Sequence, residues 1–180
     1  MKQTVYMVMM AALLLGCKNE NKPLAGSSGE NPAKPEITIE DPFSETNLVD
    51  KIKLVDLENN PVDLESLAGK NIFLNFWATW CKPCILEMPS IERAAKLLSD
   101  DDFVFLIASD ESVGRIRRFM ATKDFDLQFV RLETPFPDIG ILSLPTTLII
   151  DPTGKIVMNQ IGALGWDTPE VLEKLRGINL

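Results

Sequence analysis

Cys81 and Cys84, two residues apart in the stretch WATWCKPC, are the side chains of this sequence best suited to chemistry. A thiolate attacks a disulfide sulfur, and a second thiol within reach can resolve the mixed disulfide that results. The apolar run NIFLNF (71–76) leads into the pair and a helical apolar spacing follows it, so the cysteines sit where a strand gives way to a helix. If that helix starts at or just after Cys81, the unpaired N–H groups and dipole of its first turn favour negative charge on the sulfur. Thiols so placed have pKa values from about 7 down to about 3.5, against about 8.5 for a free cysteine. Cys84, one turn on, points to the same side and lies deeper. The order supplies an attacking thiol, Cys81, and a resolving thiol, Cys84.

The spacing admits two other uses. Half of a zinc site can look like this, but the chain has three cysteines and no histidine, so the other half is missing. A static disulfide is the second, although so small a loop adds little stability in the chain-entropy picture. The absence of histidine also removes the usual general base of Cys and Ser hydrolases. With 18 basic against 26 acidic residues, a net charge of −8 and no basic cluster longer than RIRR (115–118), the chain lacks the footprint of a nucleic-acid binder. No metal and no cofactor is expected.

The elements that must hold the two thiols can be read from periodicity. DKIKLVDLENNPVDL (50–64) alternates, breaks at Asn59-Asn60-Pro61 and resumes, as a hairpin does. NIFLNFW (71–77) and FVFLIAS (103–109) are nearly continuous apolar runs, the pattern of strands buried on both faces. Between them, Ile85, Met88, Ile91, Ala95 and Leu98 mark a helix over 84–98, bent at Pro89. A helix over 112–125 and a short strand over 127–132 follow. TTLIID and KIVMNQ then flank Asp151-Pro152-Thr153-Gly154, a type I turn that makes this pair antiparallel. A last helix, 168–176, has Thr168 as its cap and Pro169 at its first position. The resulting class is α/β: a central mixed β-sheet with helices on both sides and an N-terminal β-hairpin extension.

The N-terminus is of another kind. Residues 1–16 carry an early Lys2, an apolar run from Val5 to Leu15 and a small Gly16, which is a signal peptide too short to remain as a membrane span. Its ending, LLGC, resembles the lipobox of bacterial lipoproteins, which makes Cys17 the lipidated mature N-terminus; an ordinary secretory signal with an incidental cysteine is the alternative. Residues 17–42 are rich in Asn, Pro, Gly, Ser and charge, and read as a flexible tether. The folded domain occupies 43–180. The expected location is the bacterial cell envelope, lipid-anchored and facing the periplasm or the exterior, outside the reducing cytoplasm.

FLNFWATWCKPC resembles the thioredoxin active site and, more closely, the TlpA/ResA branch of membrane-tethered thiol-disulfide oxidoreductases. The likeness spans residues 48–176 and includes Pro89, LPTT (144–147) and IGAL (161–164). It implies a thioredoxin-like fold in which Pro145, after Leu144, is a cis-proline whose loop pairs with the backbone of a bound polypeptide. Gly162 lines the same groove or simply ends a strand. Both tryptophans, Trp77 and Trp80, have the size of core residues, but Trp80, adjacent to Cys81, is placed at the groove. Asn75 stands where thioredoxin has a buried aspartate that assists proton transfer from the second cysteine. Glu87 matches an active-site glutamate of the branch, whereas its helical position alone equally suits a solvated residue.

The function so implied is exchange of disulfides with thiol- or disulfide-bearing protein clients. The direction is reduction, because the branch includes reductants for apocytochrome maturation, and a membrane thiol electron donor must then restore the pair. Two rivals stand beside it. Thiol peroxidases of the peroxiredoxin type share the fold but support their peroxidatic cysteine with Thr and Arg, and a tethered client-binding module would keep the fold without the exchange.

Overall fold

Strands β3 (Asn71–Phe76) and β6 (Thr146–Ile150) are buried at every position, which is why their sequences do not alternate: both faces of the sheet are covered. The computed structural model describes residues 45–179. The signal peptide, Cys17 and the tether assigned to 1–42 lie outside the described residues. The other strands are β1 (Leu54–Val55), β2 (Pro61–Val62), β4 (Phe103–Ser109), β5 (Phe129–Leu132) and β7 (Ile156–Ile161). The helices are α1 (Glu45–Lys51), α2 (Lys82–Leu97), α3 (Val113–Met120) and α4 (Pro169–Arg176). The strands form one sheet in the order β2-β1-β5-β4-β3-β6-β7. β3, β4 and β5 are parallel, and β1, β2, β6 and β7 join antiparallel, so the sheet is mixed.

Topology decides where the helices go. The connections from β3 to β4 and from β4 to β5 step the same way across the sheet, and crossovers of one hand then place α2 and α3 on the same face. Ile91 of α2, Ile116 of α3 and Leu172 and Leu175 of α4 share one buried cluster with Phe73, Phe105 and Ile149. The other face holds Ile72, Leu74, Phe76, Leu106 and Leu148, covered by Leu64, Phe136, Ile139 and Ile141, with Leu48 and Val49 of α1 packed beside them. Helices on both sides is therefore a lopsided statement here. The three later helices cover one face, and the short α1 with two 3₁₀ turns, Glu65–Leu67 and Phe136–Ile139, serves the other.

Local differences from the sequence reading have physical causes. Pro61 begins a strand rather than closing the turn, which β2 tolerates as an edge strand. The turn is made instead by Asp56 Oδ1, which accepts from the N–H groups of Glu58 and Asn60 (both 2.8 Å), while Asn59 takes φ 65°, a region Asn adopts more readily than most. α3 stops at Met120 instead of 125: Thr122 and Lys123 donate to carbonyls three residues back, and the Thr122 hydroxyl competes for the Phe119 carbonyl at 2.7 Å. The seven-residue α1 was not legible as a helix. At the β6–β7 turn, Asp151 Oδ1 accepts from the N–H groups of Thr153 and Lys155, and Gly154 has φ 86°, the left-handed residue that ends such a turn. α4 is capped as expected, with Thr168 Oγ1 accepting from Val171 N–H.

Candidate active site

The register brings the site together at one end of the sheet. Phe76, the last residue of β3, pairs with Thr146, the first of β6, and Thr146 pairs with Ile161, the last of β7. The segments beyond these three residues, 77–81, 144–145 and 162–166, therefore leave the sheet side by side. Gly162 N–H donates to the Pro145 carbonyl at 2.8 Å, and the Leu144–Pro145 peptide is cis.

Cys81 is the N-cap of α2, in extended backbone (φ −84°, ψ 93°), and its Sγ accepts from Cys84 N–H at 3.3 Å. A donor that the helix start leaves unpaired is thus aimed at the first sulfur. Pro83 lies in the first turn, where its missing N–H costs no helical bond. α2 begins at Lys82, two residues before the apolar spacing could show it, and continues through Pro89. Cys81 and Cys84 form a disulfide with Cα atoms 5.3 Å apart. Cys84 is fully buried and Cys81 keeps 4% of its surface exposed, so of the two residues only Cys81 retains any exposed surface.

The two tryptophans flanking Ala78 and Thr79 divide. Trp77 is fully buried, packed on Phe119 and Phe129 with centroids 4.7 and 5.4 Å away. Trp80 is 71% exposed, a large apolar ring in solvent next to Cys81. The loop between them is fixed by a residue that no sequence signal marked. Glu111 accepts from Thr79 N–H at 2.6 Å through Oε2 and from the Thr79 hydroxyl at 2.9 Å through Oε1, and it pairs with Arg115 at 3.0 Å. Burial pushes the Glu111 carboxyl up, but the Thr79 and Arg115 donors outweigh it and hold the group below the usual carboxylate range.

Glu87 lies inside the protein. It is 4% exposed, one turn beyond Cys84 on α2. Its Oε1 accepts from Asn75 Nδ2 at 2.9 Å, and its Oε2 accepts from Leu164 N–H at 3.1 Å and from the Trp166 indole N–H at 3.2 Å. Desolvation raises the pKa of this carboxyl, and the three donors, Leu164 first, pull against it. Asn75 is fully buried, and its Nδ2 also donates to the Thr147 hydroxyl at 2.9 Å. Its Oδ1 has no donor among the described residues, leaving an open acceptor beside the carboxylate.

Gly162 has φ 87°, and a Cβ built there would meet nothing within 4 Å. The backbone conformation, not crowding, selects glycine. Leu144 is half-buried, packed against both core clusters. Of the residues singled out from the sequence, Cys81, Cys84 and Glu87 share the first turns of α2, and Pro145 and Gly162 share a hydrogen bond. Glu87 reaches across to the segment just past Gly162. Cys17 lies outside the described residues. Trp166 and Glu111 had no motif to announce them: each is recognised only through a partner more than thirty positions away in the chain.

Known proteins resemble this chain in sequence and in fold. The Redoxin family profile matches residues 31–175. A thiol-disulfide oxidoreductase ResA of Bacillus cereus is 38% identical over 125 residues, covering 67% of this chain and 69% of the relative. The thioredoxin-like protein YneN of Bacillus subtilis (strain 168) is 35% identical over 114 residues, 60% of this chain and 66% of that one. The solution structure of a thiol:disulfide interchange protein from Bacteroides sp. has the same fold, with a TM-score of 0.61 at 23% identity over 70% of this chain and 86% of that chain.

Proposed function

Because the chain belongs to the Redoxin family and is a thiol-disulfide oxidoreductase, we propose that it reduces disulfides of partner proteins outside the cytoplasm, with Cys81 attacking and Cys84 resolving. The observation that carries the reading is the asymmetry of the pair: Cys81 is the helix cap with an N–H aimed at its sulfur, and Cys84 is sealed beneath it.

In the reduced protein the Cys81 thiolate attacks one sulfur of a client disulfide. One S–S bond forms as another breaks, and the first client sulfur leaves as a thiolate that takes a proton from solvent. Cys84 then gives its proton to the Glu87 carboxylate and attacks the Cys81 sulfur, releasing the second client thiolate. Two electrons have passed to the client, and the Cys81–Cys84 disulfide remains. Protonated Glu87 needs an acceptor for its new O–H. The open Oδ1 of Asn75 provides one if the amide turns over, and the Thr147 hydroxyl can then donate to the same oxygen. Trp80, Leu144, Pro145 and Gly162 form the client groove.

A membrane thiol donor must re-reduce the pair, and a lipid on Cys17 keeps the domain near it. Among the described residues no helix is long and apolar enough to cross a membrane; the reading of a lipid anchor rests on the LLGC sequence ending at Cys17. The resemblance to the TlpA/ResA branch supports the reducing direction, including reduction of apocytochrome disulfides. The test uses the pre-reduced protein and a polypeptide with a single disulfide, mixed one to one. One client disulfide should be lost for each Cys81–Cys84 bond formed, and a client left oxidised overturns the reading. For the anchor, the mature protein should partition with membranes and Cys17→Ser should not. A mature chain unmodified at Cys17 overturns that part.

A further inference from the structure

We propose that Trp166 is a positioning residue for the exchange reaction: its indole N–H sets how tightly Glu87 holds a proton, and so couples that proton to the segment that walls the client groove. The proposal rests on the role for Glu87 given above and deepens it.

Trp166 is fully buried and cannot swing away. Its ring packs edge-on against Phe73 with centroids 4.6 Å apart, and its backbone N–H donates to Ser90 Oγ of α2 at 3.3 Å. So held, the indole delivers its N–H to Glu87 Oε2 at 3.2 Å. Leu164 N–H reaches the same oxygen, so one carboxylate oxygen holds two donors from the segment that follows Gly162. Among the described residues the groups bonded to the Glu87 carboxylate are Asn75 from β3 and the Leu164 N–H and Trp166 indole from the segment after β7, and Cys84 stands one turn back on the same helix. Among the described residues no cation pairs with Glu87, and the groups that shift its titration are these hydrogen-bond donors and burial. With no cation beside it among the described residues, hydrogen bonds are what stabilise the charge against burial, and each donor removed makes the carboxylate hold a proton more tightly.

The coupling runs both ways. A neutral carboxyl accepts hydrogen bonds more weakly than a carboxylate, so the proton that Cys84 hands to Glu87 loosens the grip on Leu164 and Trp166. Gly162, two residues before Leu164, is the residue bonded to Pro145. The proton received in the second chemical step thereby relaxes the groove wall as the client becomes free to leave, and a client that holds the wall rigid must change the proton affinity of Glu87 by the same factor.

The test is a proton–nitrogen NMR titration of the oxidised protein, where no thiol titrates and no client is needed. The Trp166 indole N–H resonance, assigned in the unmodified protein by its through-space contacts with the Phe73 ring, should move with pH at the same midpoint as the Glu87 carboxyl carbon, and should stay flat over that range in Glu87→Gln. Trp166→Phe keeps an aromatic ring on Phe73 but removes the donor. It should raise the Glu87 midpoint, by about a tenfold gain in proton affinity, and carry the acid limb of the exchange rate upward with it. A purely structural tryptophan predicts lower stability with an unchanged midpoint. An indole resonance that ignores the Glu87 titration in the unmodified protein overturns the proposal, and that reading survives even if Trp166→Phe fails to fold. If the indole tracks Glu87 while the reduced protein leaves client disulfides intact, the proposed function falls and the coupling stands.

Discussion

Cys81→Ser is expected to lower disulfide exchange by about 10³-fold or more, the scale of losing a covalent nucleophile, whereas Cys84→Ser should carry out the first attack and stop. A serine hydroxyl is un-ionised at neutral pH and forms no mixed disulfide, so without Cys81 there is no first step. Without Cys84 the mixed disulfide has no resolving thiol beside it, and the client stays attached. The expected difference rests on geometry: the N–H of Cys84 points at Cys81 Sγ, while Cys84 is fully buried one turn into α2. Intact-mass analysis after mixing each reduced variant with a disulfide-bearing polypeptide reads this directly. Covalent adduct with Cys84→Ser and none with Cys81→Ser is the expected pattern, and the reverse pattern reverses the roles.

The second large effect belongs to Glu87. Glu87→Gln keeps the shape, removes the charge and removes the group proposed to take the proton of Cys84. The resolving step should slow by about 10²-fold, the lower range for loss of general acid–base help, and the Cys81 thiol should ionise at lower pH because a nearby anion no longer opposes its thiolate. The stability profile should change in a defined sense as well. Burial raises the folded-state pKa of Glu87 above its value in the unfolded chain, so the folded protein binds the extra proton. Its contribution is full below the unfolded value and is lost as pH rises through the folded value. Glu111, held low, acts in the opposite sense: its contribution is present above the unfolded value and disappears as pH falls through the folded one. Glu87→Gln should flatten only the first of these slopes. Alkylation of Cys81 against pH, single-turnover rates and denaturant titrations across the acid range check the three effects, and superimposable curves would leave Glu87 an ordinary helix residue.

Much of this was legible in the sequence because it is written in local pattern. The nearly continuous apolar runs of β3 and β4 read as strands covered on both faces, their alternation with helical spacing read as a parallel sheet, and the tight turn at 151–154 added the antiparallel pair that makes it mixed. The cysteine pair declared itself by spacing alone. What could not be read lies in contacts between distant segments. The inward direction of Glu87 depends on donors at Asn75, Leu164 and Trp166, twelve to seventy-nine positions away. The fixing of the Thr79 loop by Glu111 depends on β4 ending beside β3, and nothing in the residues around Glu111 announces it. The apolar rhythm marks α2 only from residue 84, because its first turn, Lys-Pro-Cys, contains none; the start just after Cys81 could be considered from the placing of the cysteine pair but not read from periodicity. α1 was hidden because seven residues cover too few turns to display one.

The central claim, that Cys81–Cys84 is a reducing exchange centre and not a fixed brace, is tested most directly by its reduction potential. The purified protein is equilibrated with graded mixtures of reduced and oxidised dithiothreitol or glutathione and the fraction of free Cys81 is counted by alkylation and mass. Thioredoxin lies near −270 mV, strong oxidants of the fold near about −120 mV, and inert structural disulfides below about −300 mV. A reductant requires a value toward the thioredoxin end, about −280 to −240 mV, with rapid equilibration through Cys81. A value near about −120 mV would make the protein an oxidant, and a pair that does not equilibrate, or does so only below about −300 mV, would make it a brace.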